Sequence, residues 1–360
     1  MAEQTNPAKP CRITLIMPVR NEADSVEETL GSLVEGTRLP DEIIIADGRS
    51  SDGTVEKIKA FSARHPDVVI KVVDNEKLWA GSARNRAVEN STGDIILMAD
   101  FGNRFRPNWV EAMARPFLND PDTDVVCGLF QPKVETDFHH CVAVIHMLEE
   151  YMLPTIPPEE LEGLLPEVVV PVGMATGITR TAWDEVDGFP EWLFKGQDKC
   201  FGRKAWALGL KIVVAWDALV DHHVRSSLGE LFMHQFRYGR GFGQQRLISN
   251  MTAKHMMIYG LMLLLLVAGL SWPPFWSGAG LLLVAHLWHF GLRRQFKQTI
   301  HPWKWKYLYM IPLVVLARDT GYMLGHIVGW AQWYTRPELR QRYHEYLKGV
   351  DPARLRIVSK

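Results

Sequence analysis

The sequence predicts an α/β fold with a mainly parallel sheet, followed by a helical region associated with a membrane. Short runs rich in β-branched residues alternate with helical patterns, which is typical of repeated βαβ units. Several runs are continuously apolar, such as residues 43–45 and 95–98, and such strands fit a parallel sheet covered on both faces. A long, nearly charge-free stretch between Lys254 and Arg293 predicts the membrane-associated part.

Length and composition set the number of domains and exclude some function classes. The chain has 360 residues, enough for two domains at roughly 150 residues each. Forty basic and 41 acidic residues give a net charge of -1, which argues against a general nucleic-acid binder. The four cysteines form no C-x-x-C pair, so we expect neither a disulfide framework nor a structural zinc site. We expect a flexible N-terminus at residues 1–10, an α/β domain at 11–250 and a membrane-associated helical region at 251–360.

The predicted strands and helices alternate through the first part of the chain. In order they are the segments RITLIMP, DSVEETLGSLVEG, DEIIIAD, TVEKIKAFSARH, VVIKVVD, GSARNRAVENS and DIILMAD. The first of these segments is a strand, and helices and strands follow in turn. Parallel strands bring their carboxyl ends to one edge of the sheet, where ligands bind in such folds. The polar residues directly after each strand are therefore the candidate site residues.

Two apolar stretches, residues 256–270 and 277–292, predict a membrane-associated helical hairpin. The turn between them, residues 272–276, contains two tryptophans and two prolines, which suits a helix break at a membrane interface. Each stretch is shorter than the roughly 20 residues that a perpendicular span needs. The hairpin therefore either crosses the bilayer or lies within one leaflet.

The charges around this hairpin predict its orientation. The following loop, RRQFKQTIHPWKWK, is strongly basic, and the positive-inside rule puts such a loop in the cytoplasm. Residues 1–10 contain no apolar run of the kind that a secretory signal needs. We therefore expect the chain in the inner (cytoplasmic) membrane, with the α/β domain facing the cytoplasm.

The last apolar segment, residues 307–334, contains Arg318 and Asp319 near its middle, and a basic tail follows it. A single crossing would put this tail outside the cell, so we expect a re-entrant or interfacial helix pair that bends near the two charges. Arg318 and Asp319 are either a satisfied ion pair within the membrane or a site for a lipid phosphate.

Five motifs follow one another at the predicted strand and helix ends. They are PVRNE at 18–22, DGRSSDGT at 47–54, GSARN at 81–85, TGD at 92–94 and a strand that ends at Asp100. In order and spacing, the chain resembles the family-2 glycosyltransferases of the GT-A fold. Its membrane-associated end resembles bacterial exopolysaccharide and cell-surface glycan transferases of this family. The resemblance covers about the first two thirds of the chain.

The resemblance implies a site for a nucleotide-sugar donor. A carboxylate must accept hydrogen bonds from the base or ribose, and Asp47 is the candidate, with Glu22 and Arg84 completing the nucleotide site. The expected donor-binding residues are Pro18, Asn21, Glu22, Asp47, Arg84, Asp100 and Arg237. Asp47 has an alternative as a turn residue before the next helix. We interpret Asp52, in a Ser-Asp-Gly turn, as structural.

The metal motif of the family is altered in this chain. The family has D-x-D, whereas this chain has Asp100-Phe101-Gly102, so one carboxylate is replaced by glycine. The resemblance matches His222 to a histidine that the family often places after a later strand. Asp100 and His222 are therefore expected to hold Mg²⁺ or Mn²⁺. In the alternative, Asn103, Arg104 or Arg106 stabilises the leaving group without a metal.

Inverting transfer needs one base to deprotonate the acceptor hydroxyl. The family supplies it from an E-D pair that opens a helix after a G-G-F-like turn. This chain has DGFPE at 187–191 and then Gln197-Asp198 before a helical pattern. We therefore expect Asp198 to be the general base, with Gln197 in place of the usual glutamate. The alternative role for Asp198 is to cap its helix.

The segment HQFRYGRG at 234–241 lies where processive members of the family carry Q-x-x-R-W, but only the arginine, Arg237, is shared. Arg237 either contacts phosphates or the acceptor, or meets anionic lipid headgroups.

These features together predict an inverting glycosyltransferase that moves a sugar from a nucleotide-sugar donor to a lipid-linked or membrane-proximal glycan acceptor. The expected partners are the donor, the acceptor and the membrane, and no nucleic acid. One alternative is a polyprenyl-phosphate sugar synthase, whose acceptor is already anionic. A second alternative is a non-catalytic membrane scaffold that kept the nucleotide-binding fold.

Overall fold

The computed structural model describes residues 11–146, 171–248, 250–297 and 303–357, so the predicted flexible N-terminus lies outside the described residues. The described chain forms two compact units. The sheet unit contains residues 11–131, 171–222 and 346–357, and the helical unit contains the described residues of 132–152 and 223–345. These limits differ from the expected boundary after residue 250. The chain enters the helical unit earlier and returns to the sheet unit near its end.

The eight strands in the described residues form one sheet, in the order β3-β2-β1-β4-β7-β6-β8-β5. The strands are β1 Ile13–Val19, β2 Glu42–Asp47, β3 Ile70–Asp74, β4 Ile95–Met98, β5 Asn103–Phe105, β6 Val125–Lys133, β7 Thr176–Thr179 and β8 Ile212–His223. Strands β1 to β4 pair in parallel, but β7 is antiparallel to both β4 and β6, and β5 is antiparallel to β8. The expected mainly parallel sheet is therefore confined to the first four strands. A continuous apolar run indicates that a strand is buried on both faces of the sheet. The connections between strands decide whether neighbouring strands are parallel or antiparallel.

Helices cover both faces of the sheet. In the sheet unit they are α1 Val26–Val34, α2 Thr54–Arg64, α3 Ala80–Glu89, α4 Trp109–Asn119, α6 Arg180–Val186, α7 Gln197–Leu208 and α14 Pro352–Ile357. Along β2, Ile43 and Ile45 join one buried cluster, with Trp109 of α4. Ile44 joins the cluster on the other face, with Phe201 of α7. The continuous apolar runs therefore have the double burial that the sequence predicts.

The helical unit contains a closely packed helix pair. Its elements are α5 Asp137–His146, α8 Leu228–Gln244, α9 Asn250–Ala268, α10 Pro274–Leu287, a π-helical turn Trp288–Leu292, α11 Arg293–Lys297, α12 Tyr307–Thr335 and α13 Pro337–Tyr346. Helices α8 and α12 meet through glycines that include Gly239 and Gly325. A Cβ atom on Gly325 would overlap the carbonyl oxygen of Phe236. Only residues without a side chain allow the two backbones to approach this closely.

The predicted hairpin consists of α9 and the longer helix that begins with α10. Residues Pro274–Phe296 form 23 residues of continuous helix, and the most apolar 18-residue stretch within it has a mean hydropathy of 1.2, so the helix is long and apolar enough to cross a membrane. The apolar part of α9, Thr252–Ala268, is shorter. Leu264, Leu270 and Leu281 are exposed although they are apolar. These faces fit lipid contact, and whether the hairpin crosses the bilayer stays a prediction.

The segment with Arg318 and Asp319 differs from the expected helix pair, because α12 is continuous through both residues. Asp319 is buried and accepts a hydrogen bond from Arg318 Nε at 2.7 Å. Its other oxygen contacts His286 Nε2 at 2.7 Å and the Tyr259 hydroxyl at 3.2 Å. Neighbouring helices thus supply partners to the two charges, and the helix need not break to reach water. Arg318 Nη1 donates to the backbone oxygen of Ile145 at 3.0 Å, and Nη2 has no hydrogen-bond partner within the described residues. We interpret the two residues as a buried structural ion pair, and a site for a lipid phosphate stays the alternative.

Candidate active site

The loops after β1 and β2 are joined by hydrogen bonds at the carboxyl edge of the sheet. Asn21 has a left-handed backbone, with φ of 55°, and its Oδ1 accepts from Ser51 N at 2.9 Å. Asp47, the last residue of β2, is buried and accepts from Ser50 Oγ at 2.6 Å and from Ser50 N at 3.1 Å. These contacts with Ser50 are those of a turn residue. Donor binding by Asp47 therefore stays a prediction.

Two further acidic residues of these loops have different surroundings. Asp52 accepts from Ala23 N at 3.1 Å and from Thr54 N at 3.1 Å, so it connects the two loops, as its interpretation as structural expects. The side-chain hydrogen bond from Thr54 is the main reason why the pKa of Asp52 is lowered. Glu22 accepts from Ser25 Oγ at 2.8 Å and lies beside Gly102 of the altered metal motif.

Pro18, the remaining expected residue of the first loop, is half-buried within β1, opposite Ala46 of β2. Donor binding by Pro18 stays a prediction.

Arg84 and Asp100 form an ion pair at the centre of this edge. Arg84 on α3 is only 3% exposed, and its Nη2 donates to Asp100 Oδ1 at 2.5 Å. The ring of Phe189 lies 5.3 Å from the guanidinium carbon. A Cβ on Gly173 would overlap the guanidinium, so a side chain there would displace the end of Arg84. The Asp100 side chain keeps 34% of its surface exposed, which leaves the carboxylate accessible to a ligand.

Asn103 connects the two expected metal ligands. Its Nδ2 donates to the backbone oxygen of Asp100 at 3.1 Å, and its Oδ1 lies 2.8 Å from His222 Nδ1. An amide oxygen accepts only, so Nδ1 carries the proton and Nε2 carries the lone pair that a metal would need. Asn103 faces His222 because β5 pairs with β8. Sequence reasoning missed this bridge, since it arises from pairing across the sheet.

A metal at Asp100 and His222 would need further ligands beyond the described side chains. Among the residues that the structure describes, no group of three or more His, Cys, Asp or Glu side chains could hold an ion. In the metal-free alternative, Arg106 is already paired with Asp221 at 3.2 Å. Arg104 is exposed on β5. The carboxylate and the imidazole therefore fit a partial site that phosphate oxygens and water would complete.

Asp198 is the second residue of α7. Gly196, with φ of 77°, holds the N-cap position, but Asp198 still satisfies a backbone donor of the first turn, so its role as the base stays a prediction beside the capping alternative. Its Oδ1 accepts from Lys199 N at 2.8 Å, and its side chain is partly buried. The preceding Gln197 is 5% exposed and packs on Gly81 in the first turn of α3. The start of α7 thus lies against the helix that carries Arg84.

Several titratable groups of α7 are buried. Burial lowers the pKa of Lys199 and, further along the helix, of Lys204. Burial also raises the pKa of the Cys200 thiol to about 12, so this cysteine stays protonated and is a poor nucleophile near neutral pH. The role of Asp198 as the general base stays a prediction.

Arg237, the last expected donor-binding residue, lies on α8 in the helical unit, and its side chain is exposed. The constellation described above belongs entirely to the sheet unit. Contact between Arg237 and a phosphate stays a prediction.

Known proteins share the pattern of this chain. Residues 14–181 match the sequence model of glycosyl transferase family 2. The chain is 24% identical over 264 residues to glycosyltransferase AglE of Haloferax volcanii, which covers 73% of this chain and 82% of that protein. It is 24% identical over 231 residues to the O-antigen chain rhamnosyltransferase RfbN of Salmonella typhimurium, covering 63% and 71%.

A solved structure shares the fold. The mannosyltransferase PcManGT from Pyrobaculum calidifontis, in complex with GDP-Man and Mn²⁺, has a TM-score of 0.53 at 18% identity. The alignment covers 92% of this chain and 89% of that one. The expected GT-A-like fold is confirmed. The chain is a glycosyltransferase, and its residues 14–181 match family 2.

Proposed function

We propose that the chain is an inverting glycosyltransferase that moves a sugar from a nucleotide-sugar to a hydroxyl of a lipid-linked or membrane-proximal glycan. One observation carries the proposal: the helix with Asp198 in its first turn packs on the helix with Arg84, which holds the partly exposed Asp100. A base and an anion-binding edge thus belong to one unit. The proposed donor-binding residues are Pro18, Asn21, Glu22, Asp47, Arg84, Asp100 and Arg237.

Inversion requires the acceptor to attack the anomeric carbon from the face opposite the leaving nucleotide. The Asp198 carboxylate accepts the proton of the acceptor hydroxyl as the new glycosidic bond forms. The bond between the anomeric carbon and the phosphate oxygen breaks, and its electron pair leaves with the nucleotide diphosphate. A single base on one face of the sugar is sufficient for this reaction.

The sheet edge with Arg84 and Asp100, which we call the donor edge, must bind a negatively charged diphosphate. Arg84 orients the carboxylate of Asp100, and Asn103 fixes the tautomer of His222. Asp100 and His222 would hold Mg²⁺ or Mn²⁺, and the Mn²⁺ in the structurally similar mannosyltransferase supports this choice. Such an ion would neutralise charge that develops on the leaving diphosphate.

The acceptor is proposed to be at a membrane because the same chain has apolar helices with exposed apolar faces. Leu263, Leu270 and Trp272 are each more than half exposed. A membrane that holds both enzyme and acceptor raises the effective concentration of the acceptor hydroxyl. The basic loop after the hairpin supports the inner membrane, with the sheet unit on the cytoplasmic side.

Asp198→Asn in the full-length, detergent-solubilised chain tests the role of the base. A panel of nucleotide-sugars is first screened for thermal stabilisation with and without Mn²⁺, because a bound ligand stabilises the folded state. With the donor so identified, we expect turnover to fall by about 10² to 10⁴-fold, since the variant has no general base. Stabilisation by the donor should stay unchanged.

Asp184→Asn is the matched control, because Asp184 is an exposed aspartate on the neighbouring helix α6. It should retain the activity of the wild type. Near-normal turnover of Asp198→Asn would contradict the base role and would fit an acceptor that is already anionic, such as a polyprenyl phosphate. A wild type that is stabilised by no donor would contradict the proposal as a whole.

A further inference from the structure

The end of the chain returns to the sheet unit after the helical unit. Residues 346–357 belong to the same compact unit as the strands, although residues 223–345 before them do not. We call residues 346–357 the C-terminal strap. Its first residue, Tyr346, donates a hydrogen bond from its hydroxyl to the backbone oxygen of Gly188 at 2.7 Å. Burial raises the pKa of Tyr346 well above its ordinary value, so the hydroxyl stays a donor.

The strap also contacts α7, the helix of the proposed base. The ammonium of Lys204 lies 4.2 Å from the centre of the Tyr346 ring. Arg203 Nη2 donates to the backbone oxygen of Leu355 at 3.1 Å. Arg203 and Lys204 are both buried, and a buried cation needs such partners to be stable. The strap therefore supplies an aromatic ring and a backbone oxygen that stabilise two buried cations of α7.

The other contact of Tyr346, at Gly188, belongs to a turn that is fixed on α3. Phe189 N donates to Asn85 Oδ1 at 2.8 Å, and Asn85 Nδ2 donates to Phe189 O at 2.9 Å. The Phe189 ring also lies against the guanidinium of Arg84. The contacts of Tyr346 thus connect the base helix to the turn that supports the donor edge.

We propose that the C-terminal strap positions α7 against this turn, with Tyr346 as a positioning residue for Asp198. The role in transfer rests on the proposed function of Asp198. Tyr346 touches neither Asp198 nor the donor edge directly and acts through Lys204 and Gly188. A small displacement of a catalytic group lowers turnover strongly, whereas it changes donor binding little.

The test compares Tyr346→Phe, Tyr346→Leu and wild type in the full-length chain. Tyr346→Phe removes the hydrogen bond to Gly188 and keeps the ring on Lys204, while Tyr346→Leu removes both. We expect kcat to fall by about threefold to tenfold in the first variant and by more in the second, with the donor KM changed less than about twofold. Tyr334→Phe is the control, because Tyr334 is 63% exposed.

Hydrogen exchange of peptides from residues 185–203 gives a second measurement that does not depend on activity. Loss of the Gly188 hydrogen bond should raise exchange there by roughly fivefold. A lower unfolding temperature with unchanged kcat, or exchange equal to that of the control, would overturn the proposal. If the wild type transfers no sugar, the proposed function fails, and the exchange measurement still decides whether the strap holds α7.

Discussion

Asp100 in the sheet unit and Asp319 in the helical unit both pair with an arginine, but their surroundings differ. The Asp319 side chain is 1% exposed, and both of its oxygens have partners within the helical unit. The Asp100 side chain is 34% exposed, and Arg84 holds one of its oxygens. The same residue types therefore form a closed structural cluster in one unit and an accessible edge in the other.

The comparison shows that the exposure of the carboxylate distinguishes a candidate ligand site from a buried structural ion pair. Burying a carboxylate costs solvation energy, which only a complete set of partners offsets. A side chain that must bind a ligand has to stay partly accessible. Residue type and a nearby arginine alone do not distinguish the two cases.

The largest expected effect tests the accessible member of the pair. Asp100→Asn should lower turnover by about a hundredfold or more, because it removes a ligand of the proposed metal ion that would neutralise the leaving diphosphate. The unfolding temperature should also fall, since the buried Arg84 loses its counter-charge, so turnover is measured on the folded protein. Steady-state kinetics with the identified donor and Mn²⁺ measures the effect. Asp24→Asn, at a fully exposed aspartate, is the control. Normal turnover of Asp100→Asn would contradict the interpretation that Asp100 binds a ligand whereas Asp319 is structural.

A substitution at Asp319, the buried carboxylate, should lower stability without lowering turnover. Asp319→Asn should destabilise the chain by about 3 to 5 kcal/mol, because it leaves the buried Arg318 without its counter-charge. Turnover of the remaining folded protein should be unchanged. Thermal unfolding in detergent measures the loss. The double variant Arg318→Met with Asp319→Leu should be less destabilised than the single one, since it leaves no charge unpaired. Equal stability of Asp319→Asn and wild type would contradict the closed cluster.

A smaller effect tests how tightly the helical unit is packed. Gly325→Ala should cost about 1 to 3 kcal/mol, because its Cβ would overlap the backbone of α8. Gly280→Ala is the control, since a Cβ there meets nothing within 4 Å. It should be neutral or stabilise the helix by about 0.5 to 1 kcal/mol. Thermal unfolding of both variants decides the matter, and an equal response would show that α8 and α12 are not in close contact.

The sequence correctly predicted the features that depend on local patterns. The alternation of apolar runs and helical segments predicted β1 to β4 and the helices between them. Motif spacing predicted that Asp47 ends a strand, and it placed Asp198 just before a helix that in the structure begins at Gln197. The apolar stretches predicted a helical hairpin, although the second helix extends further at both ends than the stretch at 277–292.

Other features could not be predicted because they depend on pairs that are distant in sequence. The direction of β7 follows from the connections between strands. The continuity of α12 follows from buried partners on other helices, which local charge patterns do not reveal.

The sequence by itself indicated the resemblance to family 2, the order of the first four strands with their helices, and the acidic residues near the strand ends, because each of these depends on neighbouring residues or on fixed spacing. Only the tertiary structure decided that Asn103 joins Asp100 to His222, a contact across 119 positions. It also decided that Tyr346 returns to Gly188, across 158 positions. Such contacts exist only once the sheet has closed and the chain has folded back, since nothing in the local sequence specifies which distant residue will lie opposite.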